Sequence, residues 1–160
     1  MALRDSKDNA GILPSKVYQD DFRPGRGNAL QAAVASIFGL ELSEVPNFVE
    51  LPEGYEAGIQ SFCRERDRIA VKLKLGGDAA SIGECYNGKL CVLRGKSPRG
   101  DFGHVVVAKR INKGANADDS SNNFEMVHDP HPDETFLDRD EAFGWCMFFD
   151  DHVSNARDTK

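Results

Sequence analysis

Gly27–Gly39 runs G-N-A-L-Q-A-A-V-A-S-I-F-G, and the architecture is best approached from here. Gly27-Asn28 is a turn signal standing where a helix would start. The residues that follow are small or apolar and of good helix propensity, and Gly39 stands where a helix-ending C′ glycine belongs. Leu30, Ala33, Val34 and Ile37 recur at the i, i+3, i+4, i+7 spacing, which makes one face apolar. Ala29, Ala32, Ala33, Ala35 and Ser36 carry little side chain, so other elements can approach closely. The expectation is a short central helix packed on most of its sides.

Upstream, residues 1–15 are polar, include Gly11 and Pro14, and are expected to form a loose arm. Val17–Phe22 then leads into the turn-rich run R-P-G-R-G. Downstream, Leu42–Pro46 is one helical turn closed by proline. Asn47–Glu53, with Phe48, Val49 and Leu51, is a packed connector. Tyr55–Arg68 is a second helix with Ile59, Phe62 and Cys63 on its apolar face and a solvated, charged end. Ile69–Leu75 alternates apolar and polar as a half-buried strand does. Lys89–Arg94, His104–Ile111, Phe124–His128 and Phe143–Phe149 are four further strands, and the unbroken apolar start of the second of these predicts burial on both faces. Gly95–Gly103 is a turn-rich loop and Asn112–Asn123 a polar one. A helical first half before an antiparallel-looking β half predicts an α+β fold, a central N-terminal helix on an antiparallel sheet. The domain is expected over residues 16–150, with a polar tail at 151–160.

The 160 residues suffice for one domain. Twenty basic against 26 acidic residues give a net charge of −6, which argues against general nucleic-acid binding. No apolar run approaches the roughly 18 residues of a membrane span, and the N-terminus lacks the apolar core of a secretory signal. The expected compartment is the cytosol. Cys63, Cys85, Cys91 and Cys146 form no C-x-x-C pair, so they are expected to be reduced and structural.

A helix N-terminus concentrates free N–H groups and partial positive charge, so a cysteine there becomes a nucleophile at neutral pH. The stretch resembles the nucleophile helix of papain-like cysteine hydrolases, in a small bacterial-type branch with the pattern G-[ND]-C-L-x-A-x-V-A-S-[IL]-x-G-L. Gly27, Asn28, Leu30, Ala32, Val34, Ala35, Ser36, Ile37, Gly39 and Leu40 fit it, while Ala29 stands in the cysteine's place. Ser97–Val107, S-P-R-G-D-F-G-H-V-V-V, resembles the branch's histidine motif S-P-R-G-x-x-x-H-[AV]-V-V. Val127–Pro132, V-H-D-P-H-P, resembles its acidic motif.

The resemblance implies a papain-like fold with His104 as the base, Asp129 as its orienter and Gln19, ten residues before Ala29, as an oxyanion donor. It further implies that Asn28, Gly103 and His128 contact a peptide or small-amide substrate and that no cofactor is required. With Ala29 the chain is expected to be inactive or substrate-trapping, either an inactivated variant or a natural pseudoenzyme used as a binding module. Hydrolysis and acyl transfer are not separable by sequence.

Plainer readings remain beside these. Gln19 can be a surface-loop residue, His104 a satisfied core histidine, and Asp129 a turn former before Pro130. His128 and His131, with Asp129 and Asp133, prompt a metal reading, but the prolines hold this backbone extended and throw alternate side chains apart, so no metal is expected. His131 is read as a structural loop residue. Ser36 and Ser97 are poor replacement nucleophiles, since neither stands at the helix N-terminus; of the cysteines only Cys91 lies near the other motifs, and it sits mid-strand. Gly25–Gly27 is too short for a phosphate-binding loop. Leu51–Ala57 and Gly76–Gly88 are expected to line the cleft, and Arg99 and Asp101 are read as solvated loop residues.

Overall fold

The computed structural model describes residues 11–23, 27–75, 84–111 and 123–152. The alanine-rich stretch forms helix α1, Ala29–Phe38. It stops at Gly39, whose φ of 72° is left-handed, and the Leu40 N–H returns to Ala35 O at 2.9 Å. A Cβ at position 39 would also crowd Pro14, so glycine is required there on two counts. Single 3₁₀ turns at Leu42–Glu44 and Phe48–Glu50 carry the chain to helix α2, Tyr55–Arg64. Gln31 of α1 holds this connector by donating to the carbonyls of Leu42 (2.9 Å) and Val45 (2.7 Å).

Five strands follow: β1 (Arg68–Lys74), β2 (Leu90–Lys96), β3 (Gly103–Arg110), β4 (Phe124–His128) and β5 (Trp145–Asp151). They form one antiparallel sheet in the order β1-β5-β2-β3-β4. The fold is therefore α+β. α1 packs on β2 and β3, and α2 packs on β1. Leu30, Val34, Phe48, Ile59 and Phe62 meet Val92, Val105, Val107 and Met147 on this helix-covered face. The opposite face is closed by Phe124, Leu137 and Phe143 against Cys91, Leu93, Val106, Cys146 and Phe148. β3 thus buries valines on both of its faces, as its unbroken apolar run requires.

β4 joins β3 through a bulge. Val107 pairs with His128 while Ala108 pairs with Met126, so Val127 has no partner across the ladder. One extra residue exchanges the faces of all side chains beyond it.

Several boundaries differ from those the sequence suggests. α2 ends at Arg64 rather than Arg68, because Asp67 takes a left-handed φ of 59° and Arg68 is already in β1. β5 is displaced to Trp145–Asp151. Phe143 is drawn into the second core cluster, and Gly144 donates to Arg94 O at 2.8 Å, so these two residues precede the strand. Asp151, expected in the tail, pairs with Arg68 in the sheet. Leu13, expected in the loose arm, packs on the core. Cys63, Cys91 and Cys146 are buried, but Cys85 is exposed. The expected arm over 1–10, the loops at 76–83 and 112–122, and the tail beyond 152 lie outside the described residues. Among the described residues, no single helix is long and apolar enough to cross a membrane.

Phe48 has no exposed surface and its ring sits edge-on to Phe62 at 5.6 Å. Phe48→Ala is expected to lower the unfolding free energy by about 3–5 kcal/mol. Urea titration should show this as a lower midpoint at unchanged slope; a loss below about 1 kcal/mol would mean that the connector is not part of the core.

Candidate active site

The segment before α1 is fastened at four points. Val17 N–H donates to Ser36 Oγ at 2.9 Å, and Val17 O accepts from His128 Nε2 at 2.7 Å. Gln19 N–H donates to Pro130 O at 3.0 Å. Asn28 supplies the fourth point. Its Oδ1 accepts the N–H groups of Asp20 (3.0 Å) and Asp21 (2.9 Å), and its Nδ2 donates to Asp20 Oδ1 and Gln31 Oε1. Asn28 does not cap α1 through its side chain. It ties the preceding loop to the helix instead, and the first turn of α1 contains no acidic residue.

At the mouth of β3, His104 Nε2 lies 2.7 Å from Asp129 Oδ1. An ionised carboxylate only accepts, so Nε2 carries the proton and Nδ1 is left as the basic nitrogen. Asp129 is 1% exposed and accepts two more hydrogen bonds, from the N–H of His131 (3.0 Å) and of Phe136 (2.8 Å). Burial alone would raise its pKa. The bonds from His104, His131 and Phe136 outweigh burial and hold the carboxyl below its ordinary range.

A cleft of about 380 Å³ opens at this point. Ala29, His104, Gly103 and Gln19 all line it. Gln19 Nε2 donates to Asp21 O at 2.9 Å, which uses one of its two amide protons, and its buried Oε1 has no hydrogen-bond partner. The arrangement places an imidazole with a free nitrogen, a buried carboxylate behind it, an amide donor and a helix N-terminus around one space. That set can move a proton and stabilise negative charge on a bound carbonyl.

Two expected substrate contacts are not in the cleft. Asn28 is buried under the loop it ties down, and His128 is buried with its Nε2 on the Val17 carbonyl and its ring edge-on to Tyr18. Burial lowers the His128 pKa, so it stays a neutral anchor. Conversely, His131 lines the cleft, with its ring 6.5 Å from that of His104 and packed on Phe22. Phe22, Val49 and Phe102 are exposed apolar side chains that also line it. Aromatics set in the polar turns D-D-F-R and G-D-F-G were the available signal for two of these. From the loop at Leu51–Ala57 only Tyr55 lines the cleft, while Tyr86 from the second expected loop stacks on Phe148 across the sheet. Arg99 lines the cleft and binds Asp133 and Thr135; Asp101 does not line it.

The other nucleophile candidates are occupied or enclosed. Ser36 Oγ donates to Ala32 O at 2.9 Å, and Ser97 Oγ accepts from Arg99 N. Cys91 has no exposed surface; burial first, then its contact with Cys146, pushes its thiol pKa well above the ordinary value. Among the described residues, no group of three His, Cys, Asp or Glu side chains is placed to hold a metal ion.

Asp129→Asn is expected to destabilise the chain by about 1–3 kcal/mol at neutral pH, because an amide N–H₂ would face backbone donors. A carboxyl whose folded pKa is depressed contributes stability above its unfolded pKa and loses it as pH falls through the folded value. The gap between parent and variant should therefore narrow once pH drops below roughly 3.9. Urea unfolding at neutral and acid pH measures it, and an unchanged gap would contradict an ionised Asp129.

Comparison of the chain with protein-family models, with curated proteins and with solved structures finds no match.

Proposed function

We propose that this chain carries the substrate cleft of a papain-like thiol hydrolase in which Ala29 occupies the nucleophile's position. The observation that supports it is the meeting of Ala29, at the first turn of α1, with the His104–Asp129 pair at one cleft. In the parent chemistry, a thiolate at position 29 attacks an amide carbonyl carbon and forms an acyl–sulfur bond. Gln19 Nε2 and the residue 29 N–H receive the oxyanion. Protonated His104 gives its proton to the leaving amine as the carbon–nitrogen bond breaks. Water, deprotonated by His104, then releases the acid. Asp129 keeps the proton on Nε2, so that Nδ1 is the nitrogen that works.

An alanine methyl cannot form the acyl bond. What remains to the chain as it stands is recognition of a peptide or small amide in an intact cleft, and turnover at thiol-hydrolase rates is not expected.

Ala29→Cys in a Cys85→Ser background tests the reading, since Cys85 is the exposed thiol among the described cysteines. At pH near 6.5 the introduced thiol should react with iodoacetamide about tenfold faster than in the same protein carrying His104→Ala. An alkylation profile that follows an ordinary thiol pKa of roughly 8.5, indifferent to His104, would refute the site.

A further inference from the structure

Arg94 breaks the pattern of its strand. Leu90 and Val92 of β2 point into the helix-covered core, and two-residue alternation sends Arg94 to the same face. Its cross-strand partners are Val105 on β3 and Trp145 on β5, both members of that core cluster. Trp145 stacks in turn on Tyr55 at 5.9 Å. A cation therefore stands at the end of an apolar row, on an apolar shelf, where the helix layer stops and the cleft begins. Gly103 makes room for it: a Cβ at that position would overlap the Arg94 guanidinium.

The charge of the cleft points the same way. In a chain of net charge −6, the cleft is lined by Arg23, Arg94 and Arg99 and, among the described residues, by no aspartate or glutamate. Arg23 is paired with Asp21 and Glu50, and Arg99 with Asp133. The Arg94 guanidinium has no hydrogen bond or ion pair among the described residues. The Arg94 guanidinium is planar, always charged and shaped to donate two parallel hydrogen bonds to a carboxylate. Phe22, Val49 and Phe102 supply apolar wall nearby.

We infer that the cleft selects a carboxylate-bearing amide or peptide, with Arg94 as the specificity-determining residue that receives the carboxylate beside an apolar group. This deepens the reading of the cleft as a substrate site and does not depend on thiol chemistry. The carboxylate can come from an acidic side chain or from a chain terminus.

The test uses the chain as it exists. Trp145 is the single tryptophan and lies on the Arg94 shelf, so its fluorescence reports occupancy. One pair of probes is N-acetyl-Phe-Glu amide and N-acetyl-Phe-Gln amide. The other is N-acetyl-Phe-Gly-Gly as free acid and as C-terminal amide. In at least one pair the acid form should bind about three- to tenfold more tightly than its neutral twin at low salt. Arg94→Gln should remove that difference while leaving the neutral probe's affinity within about twofold, and added salt should shrink it. The pair that shows the preference identifies the carboxylate's source. Equal affinities in both pairs, a preference that survives Arg94→Gln, or no saturable binding of any probe would overturn the inference. An acid preference lost with Arg94 but accompanied by an unactivated thiol in Ala29→Cys would sink the hydrolase reading and leave this one standing.

Discussion

How closely α1 can lie against the sheet governs everything around the cleft. Ala32, Ala33 and Ala35 have no exposed surface, and none projects more than a methyl group. A helix faced with such small residues can settle onto β2 and β3 and bring its first turn to the mouth of β3. Larger side chains at these positions would lift the helix, and overpacking of that kind costs about 1–3 kcal/mol. The displacement would matter more than the energy, since Ala29 and His104 come from two different layers and share one space only while the layers stay close.

The second constraint is electrostatic. A carboxylate as enclosed as Asp129 is tolerable only when fully partnered. Three N–H donors meet it, one from His104 and two from the backbone of its own loop. The loop therefore folds around the charge, and the charge in turn orients the imidazole. His128, its immediate neighbour, does a different job on the other side of the strand, where it holds Val17 and with it the segment that delivers Gln19. Adjacent residues thus serve the two halves of the cleft, one through each face.

Helix α1 was legible to within a residue because its start, apolar period and terminal glycine agree with one another. The strands were legible in number and order, since each is a short apolar run between turn signals. Boundaries slipped where a local conformation overrode the pattern, as at left-handed Asp67, or where packing took a residue away, as Phe143 was taken by the second core cluster. The meeting of Ala29, His104, Gln19 and Asp129 was approached through three motif blocks, not through periodicity. The sequence does not point to the cleft through Arg94 or Val49, and it reads His131 only as a structural loop residue. Each lies at the cleft by virtue of its neighbours on other strands and loops, and spacing along the chain carries no record of that. The placement of His128 away from the cleft follows from its own strand. The bulge at Val127 is set by pairing with β3, so the direction of the following side chains cannot be counted off from β4 alone.

That unpaired valine makes the count of residues in β4 as consequential as their kind. Most surface connections in such a fold tolerate gain or loss of a residue, because a loop absorbs it. Here the loss of Val127 would close the bulge with His128 still opposite Val107, and would take from the helix-covered core the apolar β4 side chain that packs on it. Homologues of this chain should therefore vary in length everywhere sooner than between Phe124 and Asp129.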